Sequence, residues 1–181
     1  MGNPKGGAVK QSRIRFMTLA ALFAALLSVC AWICIPVSDI GITLQTFGVF
    51  LALMLLGGKW GTVSIGIYLL LGAVGLPVFS GFRGGIGHLL GVSGGFLWGF
   101  LVSGLVYRAL ERFGKIPAAV AGLLGCYFCG CLWFYGFTGG GISLILLRCV
   151  VPYLIPDGLK LWLAFVLARR LEKVIKIPSR T

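Results

Sequence analysis

Asp157 and Lys160 are the residues whose types and spacing most directly suggest a binding site. They stand in the stretch Pro-Asp-Gly-Leu-Lys at the start of the last apolar run, and residues three apart on a helix share one face. An ionisable side chain in such a run is costly unless it is paired or hydrated, and it usually faces a cavity. We therefore expect a ligand cavity where Lys160 binds an anionic group and Asp157 accepts N–H groups. In the alternative, Asp157 caps the helix and its pairing with Lys160 is only structural.

Two other stretches could complete such a cavity. The sequence GITLQTFG at 41–48 places polar side chains ahead of an apolar run, and GLPVFSGFRGGIGHLLG at 75–91 is rich in glycine. Glycine allows a backbone to approach a ligand closely, and it also serves tight turns. The residues that we expect to contact a ligand are Thr43, Gln45, Phe79, Arg83, Gly84, Gly85, Tyr153, Asp157 and Lys160.

Catalytic and metal-binding chemistry has little support in the sequence. His88 with Ser80 or Ser93 could suggest an intramembrane hydrolase, but no acid is spaced to orient the imidazole and no G-x-S-x-G occurs. No phosphate-binding G-x-x-x-x-G-K-[ST] loop occurs either, so no ATPase site is encoded. The cysteines at 126–131 lie in an apolar run and are interpreted as packing residues. We predict a protein that is not an enzyme, without catalytic residues, metal or cofactor.

The composition indicates that these residues are carried by membrane helices. Hydrophobic residues make up 59% of the 181 residues and charged residues only 11%, against roughly 25% in soluble domains. A membrane helix needs about 20 apolar residues. Stretches of about this length or longer without a charged residue are 16–38, 40–58, 60–82, 84–107 and 116–147. They lack the two-residue alternation of barrel strands, so we predict an all-α polytopic membrane protein.

We predict a bundle of six transmembrane helices. The predicted spans are 16–35, 42–57, 60–78, 87–108, 117–136 and 157–171. They form one membrane domain, 16–172, between a basic tail at 1–15 and a second basic tail at 173–181. The segment 137–156 is expected to hold a short helix and an irregular approach, because glycines open it and prolines bound its end.

The basic residues orient this bundle. We assign both termini to one side of the membrane, and the loops between spans two and three and between spans four and five then lie on the same side. This side holds 13 of the 16 Lys and Arg residues, and Arg83 falls on the other side. The positive-inside rule then places both termini in the cytoplasm and Asp39 in an outer loop. The net charge of +12 is thus explained by topology and by anionic lipid, and it is not taken as a sign of nucleic-acid binding.

Small residues at four-residue spacing mark helix faces that can approach another helix closely. One glycine stripe runs through Gly95 and Gly99, and we interpret it as packing within the chain. On the first helix two overlapping pairs occur, Ala20 with Ala24 and Ala21 with Ala25. A terminal helix is accessible to a partner, so these four alanines are a candidate partner interface.

Three stretches together resemble the BioY family, the biotin-binding S components of energy-coupling factor (ECF) transporters. They are ITLQTFGVFLALMLLGGKWG, YLLLGAVGLPVFSGFRGGIGHLLGVSGGFLWGF and VPYLIPDGLKLWLAFVLARRL. The resemblance covers about 16–172 and implies a prokaryotic six-helix membrane subunit that binds biotin with high affinity near the outer surface. It also implies import driven by partners, namely a transmembrane coupling subunit and two ABC ATPase subunits.

The resemblance also implies roles for individual residues. The family's biotin-contacting Asp and Lys fall on Asp157 and Lys160, its glutamine motif falls on Gln45, and its glycine-rich loop falls on 81–85. Its docking motif for the coupling subunit best matches Ala21 and Ala25. Some members carry an Asn near that loop that contacts the ligand, whereas the only Asn here is Asn3. Arg83 is a candidate to make a ligand contact in its place.

Two alternatives remain open at this stage. One is a stand-alone transporter in which Asp157 carries a coupling proton, and the other is an S component for a different vitamin.

Overall fold

The computed structural model describes residues 4–35, 41–139 and 141–174, and these are mostly helical. A two-residue antiparallel hairpin pairs β1 (Cys34–Ile35) with β2 (Ile42–Thr43). The helices are α1 (Pro4–Trp32), α2 (Gln45–Ala73), α3 (Ile86–Leu89), α4 (Gly94–Leu110), α5 (Lys115–Thr138), α6 (Ile142–Cys149) and α7 (Val151–Val174), and a 3₁₀ turn follows α4 at Glu111–Phe113. The prediction of a helical protein is confirmed in this coarse form, since the described residues are mostly helical apart from the short hairpin.

Four stretches of the described chain are long and apolar enough to cross a membrane. They are Arg13–Trp32, Gln45–Ala73, Lys115–Thr138 and Ile142–Lys173. The helix α4 has 17 residues and the same apolar character. Their apolar side chains cover much of the surface of the chain, as expected where lipid replaces water.

The helix α2 folds back on itself at Gly57, whose φ of 81° and ψ of 166° are not helical. A Cβ atom placed on Gly61 would lie 2.8 Å from the Cα of Leu53, and Gln45 near one end reaches Tyr68 near the other. The two halves of α2 are therefore antiparallel. Counting them separately gives six long helical segments among the described residues, with the break where the second and third spans were predicted to meet.

The α4–α5 pair packs closely through the predicted glycine stripe. A Cβ on Gly99 would lie 2.9 Å from the Sγ of Cys126, and the Ser103 hydroxyl donates to the Gly122 carbonyl at 2.8 Å. The interpretation of these small residues as internal packing is confirmed. On the other side of the molecule, α1 and α7 pack on α2.

The ends of two helices differ from the prediction. The first helix begins at Pro4, so it includes most of the segment predicted as the N-terminal tail. The last helix begins at Val151 and contains Pro156, so the predicted irregular approach to position 157 is wrong, whereas the predicted short helix is present as α6. Pro152 lies in the first turn, where the N–H that proline lacks has no partner, whereas Pro156 lies further inside the helix.

Charged residues gather at one end of the helices, which we call the charged end. There the Gly58 N–H donates to the Glu111 carboxylate at 2.9 Å, and Lys115 on α5 pairs with Glu172 on α7.

Of the predicted loops and tails, Asp39 and residues 175–181 lie outside the described residues.

Candidate functional site

A cavity of about 320 Å³ opens among the helix ends opposite the charged end. Its walls come from α2, α4, α5 and α7, from the hairpin of β1 and β2, and from the loop that joins α2 to α4. Phe96, Phe100 and Leu123 supply apolar wall, and polar side chains stand on two sides of it. Apolar walls with a few convergent polar groups are typical of sites for small organic ligands.

Asp157 is held by partners on two helices. Its Oδ1 accepts a hydrogen bond from Lys160 Nζ at 2.8 Å, and its Oδ2 accepts one from the Tyr127 hydroxyl of α5, also at 2.8 Å. The two charged side chains retain only 5% and 11% of their exposure, for Asp157 and Lys160 respectively. Each charge of this buried pair is therefore compensated. Because α7 begins at Val151, Asp157 does not cap it, so the capping part of the structural alternative is wrong, whereas the predicted pairing with Lys160 is present.

A chain of polar side chains from β2 and α2 forms a second part of the wall. The Thr43 hydroxyl donates to Gln45 Oε1 at 2.9 Å, and Gln45 Nε2 donates to the Tyr68 oxygen at 2.5 Å. Gln45 and Tyr68 are both buried. These bonds fix the amide orientation, and each amide atom keeps further hydrogen-bonding capacity for a ligand.

The loop between α2 and α4 brings Arg83 and His88 to the cavity. The Phe79 N–H donates to the Arg83 carbonyl at 2.9 Å, and the Phe79 ring stacks on His88 with 5.3 Å between centroids. Burial lowers the pKa of His88, and the Arg83 charge lowers it further. The imidazole is thus neutral at pH 7, and among the described residues no acid pairs with it to orient it as the base of a hydrolase.

Gly84 and Gly85 shape the loop instead of lining the cavity. A Cβ on Gly84 would overlap the Leu76 carbonyl oxygen, so no other residue fits there. Gly85 has a φ of 94°, and its N–H donates to the Gly72 carbonyl at 2.7 Å. Their backbone geometry serves the turn and neither is among the lining residues, so contact of these two glycines with a ligand stays a prediction.

Most of the predicted ligand residues converge on the cavity. Those that line it are Thr43, Gln45, Arg83, Tyr153, Asp157 and Lys160. Phe79 is fully buried one layer behind, between His88 and the edge of Tyr68. Tyr127 was missed, because it stands in a charge-free run where no spacing distinguishes it from a packing aromatic residue.

The alanines of α1 divide between two faces. Ala20 and Ala24 are buried in the core, whereas Ala21 and Ala25 are exposed. This removes Ala20 and Ala24 from the predicted partner interface, since residues one apart on a helix point in different directions.

No group of three His, Cys, Asp or Glu side chains that could hold a metal ion occurs among the described residues.

Comparison with known proteins gives one consistent result. A family model described as the BioY family matches residues 6–177. A "Probable biotin transporter BioY" of Pyrococcus horikoshii is 42% identical over 158 residues, which are 86% of this chain and 95% of that protein. A "Biotin transporter BioY" of Thermotoga maritima is 40% identical over 166 residues, 89% of this chain and 98% of that protein.

A solved structure has the same fold. It is the crystal structure of the S-component for biotin from an ECF-type ABC transporter, which superposes with a TM-score of 0.81 at 28% sequence identity. The match covers 96% of this chain and 95% of that chain.

Proposed function

Because the chain belongs to the BioY family, we propose that it is the biotin-binding S component of an ECF-type ABC importer. It captures biotin outside the cell, and an ATP-driven coupling complex then reorients it and releases the vitamin inside. The observation that carries this proposal is the buried Asp157–Lys160 pair, joined by Tyr127, at the wall of a cavity sized for a small ligand.

The cavity suits the chemistry of biotin. The ligand has an apolar bicyclic ring system, a cyclic urea with two N–H donors and one oxygen acceptor, and a carboxylate on a flexible chain. Asp157 can accept a urea N–H and Lys160 can donate to the urea oxygen, while the Gln45 amide offers both a donor and an acceptor. A ligand without the urea would leave these buried groups unpaired, which costs about 1–3 kcal/mol for each group.

The proposed membrane arrangement has six transmembrane segments, with both termini in the cytoplasm and the cavity open to the outside. The antiparallel halves of α2 support this count, since each runs between the cavity and the charged end. The charged end carries Lys59, Arg108, Arg112 and Lys115, as the positive-inside rule requires of a cytoplasmic surface.

The partners in this proposal are the transmembrane coupling subunit and two ABC ATPase subunits. Exposed Ala21 and Ala25 on α1 are the proposed docking surface, because small residues allow a partner helix to approach closely. The chain itself acts as a transport subunit and not as an enzyme.

Biotin binding to the purified chain and to Asp157→Ala tests the site. Loss of the carboxylate leaves Lys160 buried and unpaired, so we expect affinity to fall at least about a hundredfold. Asp157→Asn, which keeps the side-chain shape, is expected to weaken binding as well. Glu172→Gln at the charged end is the matched control and is expected to bind like the wild type. Equal affinity in the wild type and both Asp157 variants would overturn the site assignment.

A further inference from the structure

The charges around the cavity are distributed unevenly. Among the described lining residues, the charged side chains are Arg83, Asp157 and Lys160. Asp157 and Lys160 pair at 2.8 Å and together carry no net charge. Arg83 has no ion-pair partner among the described residues. Among the residues that the structure describes, the uncompensated charge of the cavity wall is thus the cation at Arg83.

The loop holds Arg83 in place through contacts on both sides. On one side, the Arg83 carbonyl accepts from the N–H of the fully buried Phe79. On the other, the neighbouring Phe82 ring stacks on Trp32 with 5.0 Å between centroids, and Trp32 Nε1 donates to the Pro77 carbonyl at 2.9 Å. These contacts use the backbone and the neighbours of Arg83, so its guanidinium remains available at the exposed edge of the cavity.

His88 does not add a second cation to this wall. It lies near Arg83, and burial together with that charge lowers the pKa of the imidazole. At neutral pH the group is therefore an uncharged neighbour, and the attraction for an anion is concentrated at the guanidinium.

From this distribution we infer that Arg83 is the subsite for the ligand carboxylate, so that biotin lies with its carboxylate at the loop and its urea toward Asp157. The inference rests on the proposed function, since it orients the ligand proposed there. A guanidinium can bind a carboxylate through two parallel hydrogen bonds. The reverse orientation would bring the ligand anion next to the Asp157 carboxylate, and like charges in contact are unfavourable. The compensated pair is instead suited to a neutral urea.

Affinities for biotin and for its uncharged primary amide test this inference. Arg83→Gln is expected to weaken biotin binding about tenfold, a loss on the scale of one hydrogen bond to a charged group. The same variant is expected to leave the affinity for the amide unchanged, because that ligand brings no charge to the loop. Arg83→Lys, which keeps the cation, is expected to retain most of the preference for biotin over the amide.

Arg112→Gln is the matched control, because it removes the same charge from an exposed position at the opposite end. It is expected to leave both affinities unchanged. An Arg83→Gln chain that loses affinity for both ligands equally, or for neither, while the wild type binds biotin, would overturn the inference and leave the proposed function standing. A wild-type chain that binds neither ligand would contradict the proposed function itself.

Discussion

The two oxygens of the Asp157 carboxylate are bound by groups from different helices, Lys160 on α7 and Tyr127 on α5. The carboxylate thus joins two walls of the cavity and has a fixed orientation. This arrangement makes Tyr127 a positioning residue, because its hydroxyl acts on a ligand through Asp157.

Replacing Tyr127 by Phe should therefore weaken biotin binding about tenfold, since one hydrogen bond to a charged group is lost. The loss caused by Tyr127→Phe should disappear in a chain that already carries Asp157→Asn. Equilibrium biotin binding to the two single variants and to the double variant measures this coupling. Tyr135→Phe, exposed on the same helix, is the control and should bind normally. A loss of the same size in both backgrounds would show that Tyr127 acts independently of Asp157.

Site residues could be predicted from the sequence where their type is rare in the surrounding run. Acids and bases are scarce in the apolar runs, so Asp157 and Lys160 stood out and both line the cavity. Tyr127 has no such contrast with its surroundings, and only the fold brings it to Asp157. Glycines are ambiguous for a different reason. The loop needs glycine at positions 84 and 85 for its backbone geometry. From sequence spacing alone, a glycine needed for a turn cannot be distinguished from a glycine that contacts a ligand.

Among the elements, α2 depends most on a single backbone conformation. The φ and ψ of Gly57 lie in a region that is essentially restricted to glycine and costs other residues about 1–3 kcal/mol. This residue reverses the chain and so places Gln45 beside Tyr68 at the cavity.

The substitution Gly57→Ala should destabilise the protein by about 1–3 kcal/mol, measured as a lower thermal unfolding midpoint in detergent. The same substitution at Gly66, in the second half of α2, is the control. A Cβ there would meet open space, so Gly66→Ala should be neutral or stabilising by up to about 1 kcal/mol. Equal midpoints for the two variants would argue against the reversal at Gly57.

The element α1 offers a separate test through its exposed alanine pair. The variant Ala21→Trp should abolish co-purification with the coupling and ATPase subunits, because a bulky side chain prevents close helix approach, while biotin binding is retained. Co-purification at the wild-type level would place the partner interface elsewhere.

Helix boundaries illustrate how far the sequence can predict elements. The second and third predicted spans, 42–57 and 60–78, meet close to the observed break, because the backbone of α2 leaves the helical conformation at Gly57. Pro152 and Pro156 were taken to end an irregular segment. They instead lie within the first two turns of α7, a helix that packs on α2 and α6, and tertiary packing can outweigh a local sequence signal.

At the scale of the whole molecule, the cavity and the charged end lie at opposite ends of the same helices. In the proposed orientation, Cys34 at the cavity wall is reached from outside the cell. A chain whose other five cysteines are Ser should react with a membrane-impermeant thiol reagent in intact cells, and biotin should slow the reaction. A chain with Lys59→Cys as its only cysteine should not react until the cells are opened. The opposite labelling pattern would invert the proposed topology.

Mass spectrometry of the small molecules that remain bound to the chain after purification from cells supplied with biotin tests whether this chain captures the vitamin. The chain should carry biotin at one molecule per chain, and Asp157→Ala should carry none. Recovery of a different vitamin, or of no ligand from the wild-type chain, would contradict its assignment as a biotin-capturing subunit.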